Sequence, residues 1–270
     1  MILKGLPKMQ SIRFERTGDI GHIVLAAPPG NMLDMRYSDC MRDAVHAASE
    51  SDARVILVRA ETPHFSFGGE VREWPGKDLN WFRTFVSDVN QSYRMIENLR
   101  VPTVCAVRGW CFGGGFELAL NCDFVVAADD ANFRCVEVTT GMLPIAGALQ
   151  RLAERAGRAR ASRWAMLGEP ISGQEAFDYG IITHVVAEAD VEAAALALAE
   201  QLATGPTRSY HTTRILLKAW SGGGVPAADS IMLDLTMELF LTEDCRRGFL
   251  STAKAFNEGV EPPRIPFDGR

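Results

Sequence analysis

Val55-Ile56-Leu57-Val58 is an unbroken apolar run of strand-favouring residues. A strand can be apolar at successive positions only where both of its faces are covered. That condition directs the chain to a layered α/β body and away from a β-sandwich, whose strands alternate. The neighbouring sequence agrees. β-rich runs at 11–15 and 22–26 surround a Thr17-Gly18-Asp19 turn, and after Pro28-Pro29-Gly30 the apolar positions Tyr37, Met41, Ala44, Val45 and Ala48 keep helical spacing. From Asp78 a second helix is predicted, with Phe82, Phe85, Val86, Val89, Tyr93 and Ile96 along one stripe and Pro102 beyond its end. A strand over 103–107, a glycine-rich turn, a short helix and a strand over 124–127 follow. Strand, strand, helix is the repeating order.

Residues 1–190 are therefore expected to form an α/β core that carries the site, and residues 191–270 a helical segment. Ser172-Gly173-Gln174-Glu175 reads as a capping box, and Gly180 closes its helix before an apolar run at 181–186. Beyond 190 almost everything reads as helix, with Pro206 at a first turn and Gly222-Gly223-Gly224 plus Pro226 as a break. Met232, Leu235, Leu239 and Phe240 repeat at helical spacing, a stripe that serves either as core or as a subunit interface.

Composition narrows the function. Of 270 residues, 47% are hydrophobic and 23% charged, which excludes disorder, and the net charge of −6 argues against a protein wrapped around phosphate backbones. No apolar run approaches a membrane span and the start is no secretory signal, so a cytoplasmic setting is expected. The six cysteines contain no Cys-x-x-Cys pair and the five histidines never fall at metal-ligand spacing, so no metal is expected. Gly-x-Ser-x-Gly and Gly-x-x-x-x-Gly-Lys are absent.

Chemistry points to two glycine turns. Gly113-Gly114-Gly115 follows a strand and opens a helix, which leaves backbone N–H groups uncovered where a developing anion can be held. Glu117 stands three residues beyond Gly114, beside the same face. Phe65-Ser66-Phe67-Gly68-Gly69-Glu70 follows the strand around Val55 to Val58. Turns at the carboxyl ends of parallel strands meet in one crevice. One N–H from each turn could then grip a single carbonyl oxygen.

These two turns, with 136–144 and Gln150-Arg151-Leu152, resemble the crotonase superfamily, which includes enoyl-CoA hydratases and isomerases. Asn31-Met32-Leu33-Asp34, residues 176–186 and residues 242–258 match further family passages, in order, from about residue 11 onwards. The resemblance implies a spiral of repeated β-β-α units with a C-terminal helical trimerisation segment, assembled as homotrimers or hexamers. It implies an acyl-CoA thioester as substrate, coenzyme A being part of that substrate and no separate cofactor being needed. The thioester oxygen would lie between the N–H groups of Phe67 and Gly114. Glu117 and Glu137, twenty positions apart, match both glutamates of family hydratases. Glu117 would act as base and Glu137 as proton donor in adding water to a 2-enoyl-CoA, the acyl group being cyclic or dienoyl in one variant. Alternatives are double-bond isomerisation by Glu137 alone and a non-catalytic acyl-CoA-binding relative.

Some residues depart from the family pattern. Phe67 is large, Glu70 replaces an aspartate, Val136 a proline and Ile145 a glycine. Trp74, Phe82 and Trp110 are candidates for the acyl pocket. Arg72, Lys254 and Arg264 match family positions near the coenzyme A phosphates. No nucleic-acid partner is expected.

Overall fold

The computed structural model describes residues 11–269. A hairpin of β1 (Ile12–Thr17) and β2 (Ile20–Leu25) starts the chain, followed by α1 (Met35–Glu50) and β3 (Val55–Ala60). Then come α2 (Leu79–Glu97), β4 (Thr103–Val107), β5 (Trp110–Phe112), α3 (Gly114–Leu120), β6 (Phe124–Ala128) and β7 (Asn132–Arg134). After α4 (Ala148–Ala156) and α5 (Arg158–Leu167), the chain adds β8 (Ile171–Ser172), α6 (Gly173–Asp178), β9 (His184–Val186) and α7 (Val191–Ala203). It ends in α8 (Thr207–Phe240) and α9 (Glu243–Glu258).

Six strands form one sheet in the order β1-β2-β3-β4-β6-β9, and β5-β7-β8 form a second. Only β1 runs antiparallel in the larger sheet. The apolar run in β3 is the covered strand its sequence demands: Val55, Ile56, Leu57 and Val58 are all buried. Asp78 caps α2 by accepting the Trp81 N–H at 2.8 Å, and Ser172 caps α6 by accepting that of Glu175 at 3.1 Å. Leaving the first turn of a helix without such an acceptor costs about 1 kcal/mol.

The core does not stop at residue 190. Val191, Ala195, Ala199, Leu202 and Ala203 of α7 are buried in it, against β2, β3, β4 and β6. The chain leaves this body with α8, whose helical geometry fails at Gly223 and Gly224 (φ 69° at the latter). The stripe on α8 is not intramolecular core: Met232 and Phe240 are exposed and Leu235 and Leu239 half-buried. Leu233, Leu241, Phe249, Leu250 and Phe256 extend the apolar surface. Arg54 joins the two parts, its guanidinium donating to Gly205 O (2.6 Å), Phe267 O (2.7 Å) and Thr207 Oγ1 (3.2 Å).

Candidate active site

The two glycine turns are stitched together by backbone. Phe65 N–H donates to Arg108 O, Ser66 N–H to Trp110 O and Phe112 N–H to Ser66 O, at 3.1, 3.0 and 2.9 Å. Behind the first turn stands Asn31, buried and in a left-handed conformation (φ 48°) that asparagine tolerates. Its side chain accepts the Ala27 N–H and donates to Thr62 Oγ1 and Phe65 O. Its carbonyl accepts the Ser66 hydroxyl.

Leu33 pairs with Gly69 in a parallel bridge. Leu33 N–H donates to Gly68 O (2.9 Å), and Leu33 O accepts from Glu70 N–H (3.0 Å). Successive peptides of an extended segment point to opposite sides, so the Gly69 N–H faces away from Leu33. Among the described residues it donates to nothing. Gly114 begins α3, preceded by Gly113 in a positive-φ conformation (49°). Gly113 N–H donates to Arg134 O, but that of Gly114, the first residue of its helix, has no acceptor. Both glycines line one cavity of about 170 Å³.

Phe67 is therefore corrected as a hole residue. Its N–H donates to Gly30 O at 2.8 Å, an ordinary backbone pair, and the open amide belongs to Gly69, two positions on. The Phe67 ring lines the cavity and lies where a β-carbon on Gly30 would stand, 2.4 Å from ring carbon Cδ2. A small residue at 30 is what makes room for a large one at 67.

Glu117 and Glu137 line the same cavity. Glu117 projects from α3 and is 1% exposed, and its Oε1 accepts the N–H groups of Ala146 (2.6 Å) and Ala148 (3.2 Å) at the start of α4. Burial pushes its carboxyl above the ordinary range, opposed by those two amides. Glu137 opens a short 3-10 turn over Glu137–Thr140, and its Oε1 lies 3.1 Å from where a β-carbon on Gly113 would be. Its Oε2 is buried without a hydrogen-bond partner. Burial first, then the charge of Glu117, pushes the Glu137 carboxyl up to about 7. A half-protonated carboxyl with an unengaged oxygen in a cavity is equipped to give or take a proton.

Of the predicted acyl-pocket residues, Trp74 lines the cavity. Phe82 does not; it packs edge-on against Trp74 and Trp81, with centroids 5.9 and 5.0 Å away. Trp110 also lies outside, stacked between His64 and Phe112 on a partly exposed surface. Successive residues of β5 face opposite ways, and Cys111, not Trp110, points inward. Phe85 and Val89, both on the apolar stripe of α2, line the cavity with Ile145 and Val136. The lining positions share the buried stripe's periodicity, and nothing in that pattern marks where the stripe meets empty space. Arg72 is exposed and paired with Glu70; Lys254 is exposed near Glu258 on α9, and Arg264 is exposed beyond that helix. None of the three lines the cavity.

Two amides without acceptors and two carboxyl groups thus border one largely apolar cavity of a parallel-stranded α/β body. Comparison with known proteins bears on this directly. The sequence family described as enoyl-CoA hydratase/isomerase matches residues 15–262, and the chain belongs to that family. A Mycobacterium tuberculosis protein named "probable enoyl-CoA hydratase" is 32% identical over 204 residues, covering 74% of this chain and 76% of its own. A carnitinyl-CoA dehydratase of Salmonella enteritidis is 30% identical over 219 residues, covering 78% and 82%. An enoyl-CoA hydratase structure from Geobacillus kaustophilus superposes with a TM-score of 0.86 at 28% identity, covering 96% of this chain and 98% of its own. One from Bacillus anthracis gives 0.85 at 26% identity, covering 97% and 100%. The fold is the crotonase fold. Among the described residues no cluster of three or more His, Cys, Asp or Glu side chains could hold a metal, and no helix is long and apolar enough to cross a membrane.

Proposed function

We propose that the protein adds water reversibly to the double bond of a 2-enoyl-CoA thioester. The observation that carries this reading is the placement of two carboxylates, Glu117 and Glu137, on one cavity with the open amides of Gly69 and Gly114. The thioester oxygen would take up both N–H groups, which stabilise the enolate charge as it develops. Ionised Glu117 removes a proton from water as its oxygen bonds to the β-carbon. Protonated Glu137 gives its proton to the α-carbon as the enolate collapses. Atoms balance: one water is added across the double bond, and the proton taken up by Glu117 returns to Glu137 through solvent before the next turnover. Coenzyme A is part of the substrate and the reaction asks for no separate cofactor.

Isomerisation is the competing reading, favoured by the Glu137 carboxyl at about 7, which alone suffices to shuttle a proton. Mass analysis of the product from a 2-enoyl-CoA and a 3-enoyl-CoA separates the two. Gain of one water supports hydration; a moved double bond without mass gain overturns it. The exposed apolar residues of α8 and α9 suit assembly with further copies of this chain, as a trimer or a pair of trimers, which sedimentation equilibrium tests.

A further inference from the structure

We propose that the acyl chamber admits only a compact hydrocarbon group of about six carbons, and that Asn90 sets this limit by clasping α2 to the adjoining Ile145 segment. The proposal rests on the thioester-binding reading of the same cavity. At about 170 Å³ the cavity is close in size to an engineered apolar cavity of about 150 Å³ that holds one benzene molecule. It is smaller than the roughly 300 Å³ at which pockets for drug-sized ligands begin.

Its walls cannot easily recede. Phe85 and Val89 are buried on α2, and Trp74 packs edge-on against Phe85 with centroids 5.6 Å apart. Ile145 lines the same cavity beside them. The Asn90 side-chain amide donates to Ile145 O at 2.7 Å and to Val86 O of its own helix at 2.8 Å. One side chain thus holds together two segments that line the cavity. Widening the cavity by parting these two segments leaves a carbonyl and an amide without partners.

The Thr139 and Thr140 hydroxyls at the chamber's edge donate to Val136 O and Glu137 O, at 2.7 and 2.8 Å. The rest of its lining is apolar apart from the Trp74 indole and the carboxyls of Glu117 and Glu137. A flat six-membered ring and a short linear chain both fit.

Saturated acyl-CoA esters read the chamber without chemistry. In competition titrations, butanoyl-CoA and cyclohexanecarbonyl-CoA are expected to bind within tenfold of each other, and hexadecanoyl-CoA at least a hundredfold more weakly. Equal binding of the butanoyl and hexadecanoyl esters overturns the size limit. Asn90→Ala should raise the ratio of hexadecanoyl to butanoyl affinity at least tenfold, and an unchanged ratio overturns the role of Asn90. Ile145→Ala, which removes wall without touching the clasp, should raise the same ratio; failure to do so places the limit elsewhere and overturns the proposal. A protein that discriminates the esters but hydrates none keeps this chamber and loses the hydratase reading. One that hydrates every chain length equally does the reverse.

Discussion

Leu33 bonds to the peptides on either side of Gly69, a residue that lines the cavity, and leaves the N–H of Gly69 itself without an acceptor among the described residues. The glycine is thereby held in place by its neighbours while its own donor stays available. With 15N-labelled glycine and phenylalanine, adding a saturated acyl-CoA should move the Gly69 and Gly114 amide proton signals furthest downfield. The Phe67 amide, bonded to Gly30 O, should move little. A large Phe67 shift with a static Gly69 would return the donor to position 67.

Replacing either carboxylate tests the division of labour. Glu117→Gln and Glu137→Gln should each lower the hydration rate by about 10²–10⁴, the usual scale of general acid–base help. Acyl-CoA affinity should change far less, because the open amides and apolar walls remain. Turnover assays with circular dichroism as a check on folding decide the matter: hydration by Glu137→Gln near the starting rate would remove that residue from the mechanism.

The pH profile follows from the environment of Glu137. In the proposed role of proton donor it must be protonated, so kcat/KM should fall as pH rises past about 7. Glu117→Gln removes the charge that is the second cause of the raised pKa, so the Glu137 carboxyl should titrate lower in that variant, visible by 13C NMR. Stability is linked to the same group. Its folded pKa of about 7 exceeds the reference 4.5, so the folded state binds more protons across that window and loses stability as pH rises through it. Glu137→Gln should abolish this slope, leaving the variant more stable than the parent at pH 8 by on the order of 3 kcal/mol. Equal slopes in urea titrations from pH 4 to 8 would contradict the raised pKa.

Much of this was legible in the residues. The unbroken apolar run at 55–58 specified a covered strand, and the glycines at 113–115 specified uncovered amides because a helix start always has them. The pairing of Glu117 and Glu137 at one cavity follows from the family resemblance and not from their spacing. The donor in the first turn was misplaced by two positions for a physical reason: which peptide of a strand faces its neighbour depends on the register with Leu33, and register is a property of pairing, not of composition. Trp110 failed in the same way, by facing outward on a short strand. The cavity walls were hidden because Phe85 and Val89 obey the same helical period whether they meet another side chain or a void.

Tyr93 offers a test of how α3 is held. Its hydroxyl, fully buried on α2, donates to Gly114 O at 2.7 Å and lies 3.3 Å from that of Tyr37. Tyr93→Phe should cost about 0.5–1.5 kcal/mol of stability, the net worth of one such bond. Because the bond fixes the residue whose N–H is proposed to receive the thioester oxygen, kcat should fall several-fold while KM stays near its starting value. A loss of stability with unchanged kcat would make Tyr93 a packing residue only.

Asn31 braces the other turn, and its removal should be felt in both stability and turnover. Truncation to alanine leaves the buried Phe65 carbonyl and the part-buried Ala27 N–H without their side-chain partner. Each unsatisfied group costs about 1–3 kcal/mol. Alanine also tolerates a positive φ less well than asparagine, adding about 1 kcal/mol. Asn31→Ala should therefore lose on the order of 3–5 kcal/mol in urea unfolding. Asn31→Gly relieves the backbone but not the lost bonds, so it should recover only the smaller part. Were glycine to restore full stability, the conformation at 31 would matter and the hydrogen bonds would not, and the turn bearing Gly69 would be held by its pairing with Leu33 alone.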